Sequence, residues 1–88
     1  MSRLSKYRQF VREPLRNKKI DVVCGVGKVN SRRLKKKGYV YASNLVGLFM
    51  ILNNDSNMLR MHLLQNGISY QAVPSIVESV CEWVRINT

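Results

Sequence analysis

The sequence predicts an all-α protein, a compact domain of five to six helices spanning residues 1–88. Three observations predict it. Only two prolines and five glycines interrupt the chain, so helical runs have few breakers. Ile76, Val77, Val80, Trp83 and Val84 fall at i, i+1, i+4, i+7 and i+8, the stripe of a core-facing helix. No stretch keeps the period-two alternation of a half-buried strand. Eighty-eight residues suffice for one core, burying roughly 60–65% of the unfolded surface. A composition of 45% hydrophobic and 23% charged residues is that of a folded domain, not a disordered tail.

Taken in order, Ser5 can cap a short helix from about Lys6 to Arg12, with Tyr7, Phe10 and Val11 on one face. Pro14 ends it, because the residue before proline avoids the α region. Leu15 to Lys19 is a basic connector, Ile20 to Cys24 a short apolar element, and Gly25-Val26-Gly27 a tight turn. Lys28 to Lys37 are good helix formers closed by Gly38, and the basic last turn suits the helix dipole. The next helix, Ala42 to Leu52, is apolar on nearly every side, whereas a surface helix shows one stripe. Either another chain covers the excess or this is a central core helix. Gly47 inside it costs about 1 kcal/mol against Ala, which points to a close helix contact. Asn53-Asn54-Asp55 forms a turn with Asn54 or Asp55 as N-cap, followed by a helix to about Asn66 and a Gly67 cap. Residues 69–73 form a loop, and Pro74 suits the first turn of the last helix.

Charge divides the chain in two. Residues 1–38 carry thirteen Lys and Arg against Glu13 and Asp21, a balance of +11. Residues 39–88 carry Arg60 and Arg85 against Asp55, Glu78 and Glu82, a balance of −1. A polyanion partner for the first half is the direct reading. Cys24 and Cys81 form no CxxC pair, and with the lone His62 they fall short of a four-ligand zinc site. No cofactor or metal is expected. The N-terminus lacks the apolar core of a secretory signal, and no apolar run reaches the roughly 18 residues needed to span a membrane. A reducing compartment, with no direct membrane insertion, is therefore expected.

Two short helices around a Gly-hydrophobic-Gly turn have a specific physical use. Without Cβ atoms the backbone can approach a phosphate closely. The N–H groups that open the second helix lack intrahelical acceptors and sit at the positive end of its dipole. Gly25, Gly27, Lys28 and Val29 would supply amides, Val26 an anchor in the core, and Lys28, Arg32 and Arg33 nearby charge. Such contacts grip the backbone of a duplex without reading its sequence. The turn is not a dinucleotide fingerprint, which needs a third glycine and a strand, nor a P-loop, which ends in GK[ST]. Lys35-Lys36-Lys37 is either a solvated helix end or a set of non-specific phosphate contacts. No catalytic residues are expected: His62 has no placed partner, and Asp55, Glu78 and Glu82 show no pairing suited to acid–base work.

Lys6-x-Arg8-x-Phe10-Val11-x-Glu13-Pro14, Gly25-Val26-Gly27-x-Val29, Leu34, Gly38-Tyr39 and Ala42 resemble the barrier-to-autointegration factor family. So do Val46-Gly47-x-Phe49, Leu52, Asp55, Leu63 and Glu82-Trp83, so the resemblance covers essentially the whole chain. It implies a five- or six-helix chromatin protein of the nucleus and nuclear envelope. It also implies a symmetric homodimer that binds double-stranded DNA on opposite sides and bridges two duplexes. Carried over by position, the DNA site comprises Ser5, Lys6, the hairpin from Gly25 to Asn30, Arg33, and the loop around Tyr70 and Gln71. The resemblance puts the dimer interface around Gly47, Phe49, Met50 and Ile51, and a groove for LEM-domain partners near Ile51, Met58 and His62. Phosphorylation near the N-terminus, at Ser2 or Ser5, would release the DNA.

The chain departs from the family at informative places. Lys28, Lys35 and Lys36 stand where the family carries acids, which favours tighter DNA binding. His62 replaces a tryptophan, and Asn53 and Asn54 replace lysines, at positions lining or flanking the partner groove. The chain is one residue shorter around 65–72 and lacks most of the C-terminal cysteines. The expectation is a DNA-bridging dimer that has traded LEM-partner binding for stronger electrostatics. Its rivals are an interaction protein that pairs with and modulates a more typical family member, and an RNA-binding module.

Overall fold

The computed structural model describes residues 3–88, with side chains from Ser5 onward. Five α-helices follow one another: α1 (Arg3–Arg12), α2 (Lys28–Lys36), α3 (Ala42–Ile51), α4 (Ser56–Gln65) and α5 (Val73–Asn87). A single 3₁₀ turn, Ile20–Val22, precedes the hairpin. Among the described residues the only β pairing is an isolated antiparallel bridge between Lys19 and Tyr41.

Helix α1 begins before the position where Ser5 would cap it. Arg3 and Leu4 are good helix formers and nothing before Ser5 breaks the run, so the helix extends backward and Ser5 lies inside its first turn. The first helix of the expected helix–hairpin–helix is reduced to one 3₁₀ turn. Three β-branched residues in Ile20-Asp21-Val22-Val23 resist a longer α segment, and short 3₁₀ pieces serve as connectors. The other ends follow local chemistry. Gly38 closes α2 at φ 95°. Asp55 caps α4 by accepting from the amides of Asn57 at 2.9 Å and Met58 at 3.2 Å. The Asn44 side chain reaches back to the Tyr41 amide at 2.8 Å, opening α3.

The core gathers Phe10, Ile20, Leu34, Leu45, Phe49, Leu59, Leu63, Ile76 and Val80 from every element. Helix α5 packs most extensively on α1, then on α4 and α3. It also finishes the end of α1: Trp83 Nε1 donates to the Glu13 carbonyl at 2.9 Å, and Asn87 Nδ2 to the Val11 carbonyl at 2.9 Å. Those carbonyls have no acceptor role left within α1, so the chain's last helix satisfies the first one's C-terminus. Helix α3 turns Ala42, Leu45, Val46 and Phe49 into the core and leaves Gly47, Leu48, Met50 and Ile51 partly or fully outside.

Candidate nucleic-acid interface

Helix α2 opens at Gly27, whose backbone is extended and whose carbonyl accepts the first intrahelical bond, from Ser31 at 2.8 Å. Among the described residues, the amides of Gly27, Lys28 and Val29 have no backbone acceptor. Val26 is buried and bonds back to the Val23 carbonyl at 3.1 Å, so the hairpin is anchored while its amides face outward.

Around this turn lies an open depression of about 590 Å³ lined by Lys6, Asp21, Val26, Gly27, Lys28, Ser31, Arg32 and Lys35. Lys28, Ser31, Arg32 and Lys35 are spaced i, i+3, i+4 and i+7, one face of α2, and Lys6 arrives from α1. Four cations thus ring a set of free amides, with Asp21 the one carboxylate in the wall. Lys35 joins the bowl, whereas Lys36 and Lys37 do not line it; the i+7 spacing from Lys28 was the signal that separates them. Ser31 shares that face of α2 but carries no charge to single it out, and Asp21 is an addition with no comparable signal in the sequence.

Two expected DNA-contacting side chains turn elsewhere. Asn30 is buried; its Nδ2 donates to Ser69 Oγ at 2.8 Å, and its Oδ1 accepts from the Ser69 amide at 3.2 Å. Arg33 donates to the Gly67 carbonyl. One helical step of about 100° per residue carries these positions off the bowl and onto the α4–α5 connection. They tie α2 to that connection and do not line the bowl. That connection is drawn against the hairpin from the other side as well. Gly25 has φ 98°, and a Cβ there would stand 2.8 Å from Ser75 Cβ and 3.1 Å from the Ala72 carbonyl. Tyr70 and Gln71 are exposed on the turn between these two anchors. Ser5 lies exposed on α1; Ser2 is outside the described residues.

On α3, Gly47 and Ile51 border an open groove of about 310 Å³ shared with Gly38, Tyr39, Ser43, Asn44 and Leu48. Ile51 is 79% exposed and Met50 43%. Phe49 corrects the expected interface set: it is buried in the chain's own core, because it lies seven residues from Ala42, on the inward face. Met58 is exposed, while His62 is half-buried, its Nε2 3.0 Å from the Tyr39 hydroxyl. Among the described residues, neither Cys24 nor Cys81 is in a disulfide. Burial pushes the Cys81 thiol up, against a smaller lowering by Arg60. No helix among the described residues is long and apolar enough to cross a membrane.

The family model of barrier-to-autointegration factor matches residues 1–87. The chain belongs to the barrier-to-autointegration factor family. The mouse barrier-to-autointegration factor is 35% identical over 60 residues, 68% of this chain and 67% of that protein. The human protein is 32% identical over the same length and shares. The Drosophila melanogaster protein is 33% identical over 55 residues, 62% of this chain and 61% of its own. As a barrier-to-autointegration factor relative, this chain carries its hairpin element, the 3₁₀ turn Ile20–Val22 followed by α2, within a strongly basic first half.

Proposed function

We propose that this protein binds the phosphate backbone of double-stranded DNA without sequence preference, and that a homodimer bridges two duplexes in nuclear chromatin. The observation that carries this reading is the bowl: Gly27 and Lys28, whose amides have no backbone acceptor among the described residues, share its wall with Lys6, Arg32 and Lys35. A phosphate there gains hydrogen bonds, the helix dipole and Coulomb attraction at once. The groups are positioned for binding, not for bond-making. The outward face of α3, with Gly47, Met50 and Ile51, is the surface on which a second copy would dock, its glycine allowing close approach of helix axes. His62 is held by Tyr39, which weighs against its serving as an open floor for a LEM-domain segment beside Ile51 and Met58.

Light scattering of the protein with blunt duplex across a salt series tests the reading. A mass near twice 10.2 kDa, rising to complexes of two duplexes per dimer, is expected. Four to six neutralised phosphates per site give a log–log salt slope of about −4 to −5. A slope near −1, or a monomer holding one duplex, overturns bridging. The same apolar α3 face would also accept a more typical family member. Native mass spectrometry of an equimolar mixture separates that heterodimer from the homodimer.

A further inference from the structure

Tyr70 is 78% exposed, yet the backbone that carries it is held in place. It occupies the turn from Ser69 to Ala72, closed by the Ala72 amide on the Ser69 carbonyl at 2.9 Å. Ser69 is tied to Asn30 of α2 through its amide and its hydroxyl, and the Ala72 carbonyl lies against Gly25 of the hairpin. A large aromatic ring is thus presented to solvent from a turn fixed at both ends to the phosphate-binding element. The backbone under the ring therefore has little conformational entropy left to lose when something stacks there. Beside the ring is a slot of about 110 Å³ walled by Arg60, Leu64, Val73 and Pro74. It is apolar except for one cation, and at that volume it is too small to take a helix.

We propose that Tyr70 and this slot form a stacking site for one unpaired nucleobase, so that the protein prefers DNA carrying a short single-stranded overhang to blunt duplex. The inference rests on the phosphate-backbone reading above. Continuity decides for a nucleobase over a protein side chain: the turn bearing Tyr70 is tied to Asn30 of α2 and lies against Gly25 of the hairpin, so the ring is carried by the element next to the candidate phosphate site. Aromatic rings hold bases of any identity, because every base has a π-face. Arg60 is the cation available to the phosphate that follows the stacked base. In a paired duplex each base is covered by its neighbours, so the site is engaged only where pairing ends.

Fluorescence anisotropy with labelled blunt duplex, and with the same duplex carrying a three-nucleotide overhang, tests this at fixed salt. The wild-type chain is expected to bind the overhang substrate roughly tenfold tighter, the effect of one stacked base. Tyr70→Ala removes that difference, so the overhang-to-blunt affinity ratio falls to about one whatever happens to the blunt-duplex affinity itself, while Tyr70→Phe keeps it. Tyr70 is exposed, so neither variant endangers the fold. Equal binding of both substrates by the wild type overturns the stacking site and leaves the duplex reading standing. A preference that survives in Tyr70→Ala also overturns it. Binding of the overhang substrate alone, lost in Tyr70→Ala, supports the stacking site and removes the blunt-duplex reading. If neither DNA binds, both fall.

Discussion

The two hairpin glycines look equivalent in the sequence, but their surroundings give them different roles. Gly25 combines a left-handed φ of 98° with a Cβ direction already filled by Ser75 and the Ala72 carbonyl. Gly27 has an extended backbone and nothing within 4 Å of its Cβ direction. Gly25→Ala is therefore expected to lose about 2 kcal/mol or more of stability in urea denaturation. Gly27→Glu should keep the wild-type melting temperature and lose duplex binding, since it puts a carboxylate where a phosphate would sit. If Gly27→Glu bound duplex normally, the bowl would not be the site. The cations divide in the same way. Lys35→Gln should reduce the magnitude of the salt slope by about 1, whereas Arg33→Ala should lower stability and leave the slope alone, because its guanidinium is occupied by the Gly67 carbonyl.

At the scale of elements, α3 shows how far periodicity reaches. Its excess apolar residues were legible from the sequence, but which of them face inward was not. Eight of ten residues in Ala42–Ile51 are apolar or glycine, so no stripe stands out. Burial separates Phe49 from Met50 and Ile51, and mutation should separate them too. Phe49→Ala is expected to destabilise the protomer by about 3–5 kcal/mol. Ile51→Glu should leave the protomer folded and reduce the mass seen by sedimentation, because its side chain meets solvent in the single chain. A dimer that survived Ile51→Glu would place the interface elsewhere. Caps were more readable: Asp55 opens α4, as the Asn-Asn-Asp turn foretells, and Asp55→Ala is expected to cost about 1 kcal/mol in denaturant melts. Ser5 misled because a capping residue specifies a helix start only where the preceding residues cannot be helical.

For the whole molecule, charge is the dominant fact. A net +10 on 88 residues repels itself, and among the described residues the ion pairs are Lys18–Glu13 and Arg85–Glu82. Raising ionic strength should therefore raise the melting temperature of the free protein while weakening its hold on DNA. A melting temperature that fell with salt would mean the two pairs outweigh the repulsion. Acidity acts through the same pairs. The hydrogen bond from Lys18 holds Glu13 below the usual carboxylate value, and Arg85 does the same for Glu82. Their contribution is present above about pH 4.5 and is lost as pH falls through the lowered values; both carboxylates still reach solvent, so screening keeps the effect small. Burial, with Glu82 and Glu78 adding, raises the Tyr7 phenol. That contribution is full below about pH 10 and lost as pH rises through the raised value. Tyr7→Phe is expected to flatten the alkaline limb of a melting-temperature profile, and an unchanged limb would assign it to another group.

The sequence by itself determined what depends on near neighbours: the helices and most of their ends, the basic first half, and the glycine turn that opens α2. These follow from capping, helical spacing and backbone freedom, all of which act within a few residues. The tertiary structure decided what depends on contacts far along the chain. Gly25 is confined by Ala72 and Ser75, Asn30 is taken up by Ser69, and Trp83 completes the end of α1. Burial also assigned Phe49 to the core and Tyr70 to the surface. Each of these turns on which partner fills a given space, and packing settles that only when all the helices are assembled.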